Sequence, residues 1–369
     1  MTRVILIRSR ATHPNTIKIS KILLKHGYNV TLLLWNRQGG YFENNTDLEI
    51  ITFNLKAPQD KSIVFLFIPL WWIFIFKFLL TTKYDVIHAA DLDTLIPAIL
   101  IKVIKQVKVN YSIYDFYADC AFGRAPKILR YLISNIEKYG IGFTDILFLV
   151  TESQYLEVKG AKITKLVILY NSPIEPIQII KNVSHKHQGK FKIFYAGVLH
   201  RERGLIFIIE AIKKMDEIEL TVAGVGPEKN LFHNLSITDQ EKIKYLGWIP
   251  HEEVISNEIE SDVLFSFNNP EFPNNKYAIP NKVLEAMMCG KPIIVNNHTY
   301  AAEIVMNENC GLIIPYGDVN AIIDALEKLR DNPDLRQQLG QNGRKAYDNK
   351  YSAHLMEKKL VESYKELLI

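Results

Sequence analysis

The chain is poor in cysteine: Cys120, Cys289 and Cys310 are the only three in 369 residues. An odd, scattered set fits neither a disulfide framework nor a Cys-x-x-Cys metal site, and it points to a reducing cytosol. Asn-X-Ser/Thr triplets, among them those at Asn44, Asn182, Asn234 and Asn297, would then stay unmodified. The first apolar run, Val4–Ile7, is too short for a secretion signal and reads as a first strand. No complete Gly-x-Gly-x-x-Gly occurs. Gly224 and Gly226 make a start, but Lys229 takes the third glycine position, which disfavours a nicotinamide oxidoreductase. No metal-ligand cluster is spaced along the chain, so no metal is expected. Asp91-Leu92-Asp93 follows a strand and opens a helix, which reads as an N-cap. The lone histidines, His88 beside a buried strand included, read as structural.

Acid is missing from the first 42 residues, which hold Arg3, Arg8, Arg10, Lys18, Lys21, Lys25 and Arg37. Residues 1–171 carry 21 Lys and Arg against 13 Asp and Glu, a surplus of eight, and the remainder carries 23 against 27. This asymmetry suits an N-terminal half that faces an anionic surface or substrate, or one with a merely solvated basic face. A hydrophobic content of 48% and a length of 369 residues suit two globular domains.

Short apolar runs alternate with helical patterns throughout. Val4–Ile7, Asn29–Leu34, Leu48–Phe53, Asp85–His88, Val107–Ile113, Ile146–Val150 and Leu166–Leu169 read as strands. So do Phe191–Tyr195, Glu219–Ala223, Ile243–Leu246, Val263–Phe267, Pro292–Val295 and Leu312–Ile314. Helical patterns such as Ile17–His26, Leu205–Lys214 and Val319–Arg330 separate many of them. The fold class is α/β, with two doubly wound parallel-sheet domains. Boundaries fall at 1–171, a linker over 172–189 with Pro173 and Pro176, a second domain over 190–350, and a C-terminal helix over 351–369 expected to pack back toward the first domain.

Residues 63–80 are nearly all apolar and close to the lower length limit for a membrane span. Pro69, Lys77 and the flanking strands argue against spanning. The segment reads as a helix with one face on the sheet, presenting Trp71, Trp72 or phenylalanines to a bilayer interface. A fully buried helix is the alternative.

Four later stretches could carry chemistry. In Phe194–Ala211 a strand ends at Gly197, and a loop with His200, Arg201 and Arg203 leads to a helix near Gly204. Two arginines at a helix start suit a diphosphate, and equally a solvated surface beside Glu202. The Gly224–Gly226 turn comes next. In Tyr245–Val254, Trp248 or the Ile249 backbone could flank a base, although a core Trp is commoner. Finally, Tyr277–Val295 reads as a loop, a helix and a strand. Pro280 sets the entry, Asn281 is the expected N-cap, and Gly290 with Pro292 stops the helix. Lys282 adds a cation at the helix start, and Glu285 could hold two ribose hydroxyls. By spacing alone this could be an ordinary capped helix with Val283, Leu284 and Met287 in the core.

In this order and spacing, the four stretches resemble the C-terminal domain of glycosyltransferase family 4, retaining nucleotide-sugar enzymes of GT-B architecture. The resemblance covers residues 190–350 and extends more weakly through 84–91 and 167–173. It implies two Rossmann-like domains facing a cleft, with donor in the second and acceptor in the first. Arg203 stands where the family has a lysine on the donor diphosphate. Val198 replaces a frequent arginine, whose contact falls to Arg201 or is lost. Glu285 matches the second glutamate of the family's paired-glutamate motif. Tyr277 occupies the place of the first, and Glu271 is out of register. A subgroup with Pro-Asn-Lys before the second glutamate shares this departure.

The resemblance therefore implies Arg203, Lys282 and Glu285 as catalytic. It implies Gly197, Arg201, Gly204, Gly224, Gly226, Ile249, Pro280, Asn281 and Val283 as donor-binding, and Ser9, Thr12, Tyr114 and Asp115 as acceptor-side. The expected partners are a nucleotide sugar, a glycan or lipid-linked saccharide acceptor and an anionic membrane surface, with no nucleic acid. The expected location is cytoplasmic, peripheral on the inner face of the cytoplasmic membrane. A sugar-nucleotide 2-epimerase and a non-catalytic nucleotide-sugar-binding protein are the rival readings.

Overall fold

A computed structural model describes residues 1–9, 14–37, 48–57, 62–120, 126–176 and 189–368. The chain forms two units, one of Met1–Tyr170 with Glu357–Ile369, the other of Asn171–Met356.

In the first unit, a seven-stranded sheet has the order β3-β2-β1-β4-β5-β6-β7, with every paired neighbour parallel. The strands are β1 (Arg3–Arg8), β2 (Asn29–Trp35), β3 (Glu49–Phe53), β4 (Val86–Ala90), β5 (Lys108–Ile113), β6 (Ile146–Leu149) and β7 (Leu166–Ile168). Central strands must be apolar on both faces, since helices cover both. After Arg3, all of β1 is accordingly buried. The order reverses between β1 and β4, so the carboxyl ends of those strands form the unit's natural crevice.

Three helices of this unit pack side by side. Trp72 of the Ile68–Thr81 helix donates its indole N–H to the Asp93 carbonyl of the Leu92–Lys105 helix at 2.7 Å. A β-carbon on Gly140 of the Lys127–Ile141 helix would lie 3.0 Å from Leu95. The Ile68–Thr81 helix buries Trp71, Ile75 and Leu79, four residues apart, against the sheet. Trp71 is 0% exposed and stacks on Trp35 and Phe74. This corrects the expectation for Trp71, which fills the core; Trp72 is half-buried with its N–H bonded inside the protein. Leu66, Leu70, Ile73 and Leu80 face outward instead.

His88 is wholly buried between Tyr364 and Ser112, whose hydroxyls lie 2.6 Å from its two ring nitrogens. Burial pushes its pKa down to about 3, which fits a neutral, structural ring. Tyr364 brings the C-terminal Ala353–Leu367 helix into the core of this unit.

In the second unit, β8 (Phe191–Ala196), β9 (Ile218–Ala223), β10 (Ile243–Gly247), β11 (Val263–Ser266), β12 (Ile293–Asn296) and β13 (Gly311–Ile314) form a parallel sheet of order β10-β9-β8-β11-β12-β13. The reversal here lies between β8 and β11. The 172–189 linker is described only at its ends. There Glu175 makes a two-pronged ion pair with Arg344, and the Pro173 carbonyl accepts the Tyr347 hydroxyl at 2.6 Å.

Candidate functional site

The loops after β8, β9, β10 and β11 and the Asn281–Cys289 helix carry the sequence-predicted donor residues. Two glycines let the backbone strands approach. A β-carbon on Gly224 would lie 1.9 Å from the Gly197 carbonyl oxygen, so no other residue fits. A β-carbon on Gly197 would lie 2.6 Å from the Lys282 ammonium nitrogen. The ammonium also sits 4.4 Å from the Tyr195 ring centroid, a cation–π contact that fixes it over the end of β8.

The helix begins at Asn281, one residue earlier than a cap there requires. Pro280 holds the N-cap position with extended geometry, and the Asn281 side chain makes no cap bond. Its amide oxygen accepts from Asn171 at 2.8 Å. Proline fits because it presets the torsion of the chain entering the helix. The helix start therefore keeps backbone N–H groups without a side-chain partner, the arrangement that favours an anion. Val283 is completely buried and anchors the helix; its side chain is core. At the other end Gly290 adopts the left-handed conformation and its N–H reaches Ala286 and Met287, as a glycine stop should.

Arg203 donates to the Asn268 amide oxygen. Asn268 is held in turn by Asn296: its N–H donates to the Asn296 amide oxygen at 2.7 Å, and Asn296 donates back to its carbonyl at 3.0 Å. Asn268 and Asn296, both buried at the ends of β11 and β12, were not picked out from sequence. The available signal was a polar residue closing each of two adjacent apolar strands. Arg201 is exposed, and Gly204 turns left-handed beneath Phe267. Trp248 is 72% exposed beside half-buried Ile249, which overturns the core reading for this residue.

Glu285 is partly buried, and burial raises its pKa, opposed by Lys282 and His251. Behind it lies wholly buried Glu258, raised well above the carboxylate range, first by burial and then by the Glu285 charge. Glu258 therefore keeps its proton and hydrogen-bonds Glu285, while the Cys289 thiol donates to Glu258 at 3.7 Å. Sequence reading missed Glu258, a glutamate in the apolar phase of its helix beside Ile255. Tyr277 ends a short helix, and Glu271 is exposed in the preceding turn. Among the described residues no three His, Cys, Asp or Glu side chains gather to hold a metal.

In the first unit, the β1–β4 crevice holds a second polar cluster. Arg8, 2% exposed, pairs with Asp91 at 3.3 Å and lies 4.1 Å over the Tyr114 ring. Asp91 takes φ 70° at the helix start and its carboxylate caps nothing, so the N-cap expectation holds for position only. Asp93 is buried, and its pKa rises to about 6 through burial and then Asp91, against which Ser9 and Arg37 act. Ser9 and Tyr114 are buried and Asp115 half-buried; Thr12 lies outside the described residues.

Comparison with known proteins agrees with this arrangement. Residues 176–346 match the family model described as glycosyl transferases, group 1. The chain is similar to the capsular polysaccharide biosynthesis glycosyltransferase CapM of Staphylococcus aureus, 30% identical over 185 residues, 48% of this chain and 47% of that protein. It thus spans about half the length of that relative. In fold it is similar to sucrose-phosphate synthase from Thermosynechococcus elongatus (TM-score 0.77, 15% identity, covering 100% of this chain and 99% of that one). It is also similar to Anabaena Alr3699/HepE, solved in complex with UDP (TM-score 0.72, 14% identity, covering 99% and 100%). The solved structures show the fold, two Rossmann-like parallel-sheet domains of GT-B architecture, and over its second unit the chain is similar to group 1 glycosyl transferases.

Proposed function

We propose that this chain, of GT-B glycosyltransferase type, transfers a sugar with retention from a nucleoside-diphosphate sugar to a lipid-linked or cell-surface glycan. The observation that carries the donor half is the Lys282 ammonium, held over the end of β8 beside Gly197 at the start of the Asn281–Cys289 helix. An ammonium and free helical N–H groups converge there, which suits a diphosphate. Arg203, steadied by Asn268, adds a second cation. Charge developing on the departing diphosphate would be offset by these fixed groups, commonly the largest catalytic contribution. Cationic side chains supply this charge without a metal ion.

Glu285, backed by protonated Glu258, is the ribose-binding carboxylate. Trp248 and Ile249 flank the base. UDP-bound HepE, similar in fold, supports a uridine nucleotide as the first donor to try. Retention would follow from attack on the face the diphosphate leaves, with the departing phosphate taking the acceptor proton. A bond forms between the acceptor oxygen and the anomeric carbon as the bond to the diphosphate breaks. Ser9, Tyr114 and Asp115 stand on the acceptor side. Asp91, at the same strand ends, suits sugar hydroxyls. The basic surplus of residues 1–171 suits a site on the inner face of the cytoplasmic membrane.

The test is release of nucleoside diphosphate from a panel of nucleotide sugars, with and without lipid extract and with excess chelator. Acceptor-dependent release that survives chelation supports the reading. Release that needs an added divalent ion contradicts its metal-free part, and epimerised donor with no acceptor contradicts transfer.

A further inference from the structure

The three helices that pack side by side in the first unit are unusual in what they turn outward. The Lys127–Ile141 helix is inside out. Its Ile128, Leu132, Ile136 and Tyr139 form an exposed stripe at helical spacing, with Ile128 76% exposed and Tyr139 73%. Its one carboxylate, Glu137, is 0% exposed and accepts the Tyr111 hydroxyl at 2.6 Å in the core. The Leu92–Lys105 helix exposes Val103 and Ile104, and its one carboxylate, Asp93, is also buried. The Ile68–Thr81 helix has no carboxylate, and only 17% of the Val64–Thr81 stretch is buried. Contiguous apolar surface on this scale marks an interaction face.

Charge identifies the partner. The three helices carry Lys77, Lys102, Lys105, Lys127, Arg130 and Lys138, and their only carboxylates point inward. Lys102 pairs with Asp145, and Lys105 binds the carbonyls that end the neighbouring helix. Lys77 and Lys127 are exposed to solvent. A second copy of this face would set cation against cation. Among the described residues, the exposed charges that these three helices carry are cations, which fits an anionic bilayer, with leucines and isoleucines entering the acyl boundary and lysines meeting lipid phosphates. A recess of about 370 Å³ beside the face includes Val103 and Phe143, with Lys102 and Lys108 flanking Asp145 in its wall.

We propose that these three helices form a monotopic docking surface for anionic lipid. The surface gives the lipid-linked acceptor reading its membrane, and rests on that reading only for its purpose. The test uses the full chain with neither donor nor acceptor, so its failure would leave the donor chemistry standing. Cosedimentation is measured with phosphatidylcholine vesicles and with vesicles that also contain phosphatidylglycerol. Salt-sensitive binding to the anionic vesicles alone is expected. Lys77→Gln with Lys127→Gln should weaken it by about fivefold per lysine, roughly twenty-five-fold for the pair. Ile128→Asp with Ile136→Asp should abolish it, with the unfolding midpoint unchanged because both side chains are exposed. Absent binding, equal binding to neutral vesicles, or binding indifferent to both pairs of substitutions would overturn the proposal. So would a wild-type dimer dispersed by the aspartates.

Discussion

The Lys282 ammonium occupies the space that a β-carbon on residue 197 would need, 2.6 Å away. The glycine after β8 and the lysine on a helix some eighty residues later are thus one feature, since the side chain missing at 197 is the seat of the cation.

Gly197→Ala should therefore act on the nucleotide by displacing Lys282. We expect at least about tenfold weaker binding, near 1.4 kcal/mol, and a similar loss for Lys282→Ala. In the double variant the losses should add only in part, because once the lysine is gone the new methyl group displaces no cation and only the backbone strain at φ 155° remains. Calorimetric titration of the four proteins with UDP measures the coupling, and full additivity would refute the shared seat.

Glu258 is predicted to work as a protonated donor behind Glu285. Glu258→Gln keeps a donor of the same shape and should bind nucleotide nearly as wild type, whereas Glu258→Leu should weaken binding. The native pKa lies above the unfolded value, so the folded state holds the extra proton. Wild-type stability then falls as pH rises above the unfolded carboxylate range. Glu258→Gln removes that loss, so its stability advantage should grow from pH 5 to pH 8. An advantage that stays constant over that interval would mean Glu258 is ionised in the folded protein.

His88 runs the other way. Its native pKa of about 3 lies below the ordinary 6.5, so the unfolded chain takes up a proton first as pH falls. Stability credited to neutral His88 is complete above about pH 6.5 and declines below it. From pH 7 to pH 5 the decline is about 2 kcal/mol. The carboxyls of Asp93, Glu258 and Glu285 titrate with opposite sign, but they are common to wild type and His88→Gln. The gap between these two proteins in urea unfolding should therefore narrow by that amount. A constant gap would show that the ring is charged or exposed.

Trp248 offers a separate check on the base. Its side chain is 72% exposed, so Trp248→Ala should leave stability within about 0.5 kcal/mol. Nucleotide affinity should fall by about tenfold if the indole covers the base, roughly the lower end of aromatic–base stacking. Unchanged affinity would leave that role to the Ile249 backbone.

The strand pattern was legible because buried parallel strands must be continuously apolar and are punctuated by Gly and Pro. Each sequence-read strand has its counterpart in one of the two sheets. Gly290 was legible as a helix stop for the same local reason. What sequence hid was facing. The Val64–Thr81 run is apolar on all sides, so no periodicity could say that Trp71 points in and Ile73 out. Asn281 resembled a cap, but the preceding proline already fixes the entry torsion and frees the asparagine for Asn171. Asn268, Asn296 and Glu258 escaped notice because their partners lie on other strands and helices, contacts without a local spacing.

The most direct test is thermal stability with and without nucleoside-diphosphate sugars, for the wild type, Lys282→Ala and Glu285→Gln. A donor present at ~100 times its dissociation constant should stabilise the wild type by about 2.7 kcal/mol, and both variants should lose most of that shift. A panel in which no nucleotide sugar stabilises the wild type, or in which both variants respond as fully as it does, would contradict the assignment of the β8–β11 strand ends as the donor site.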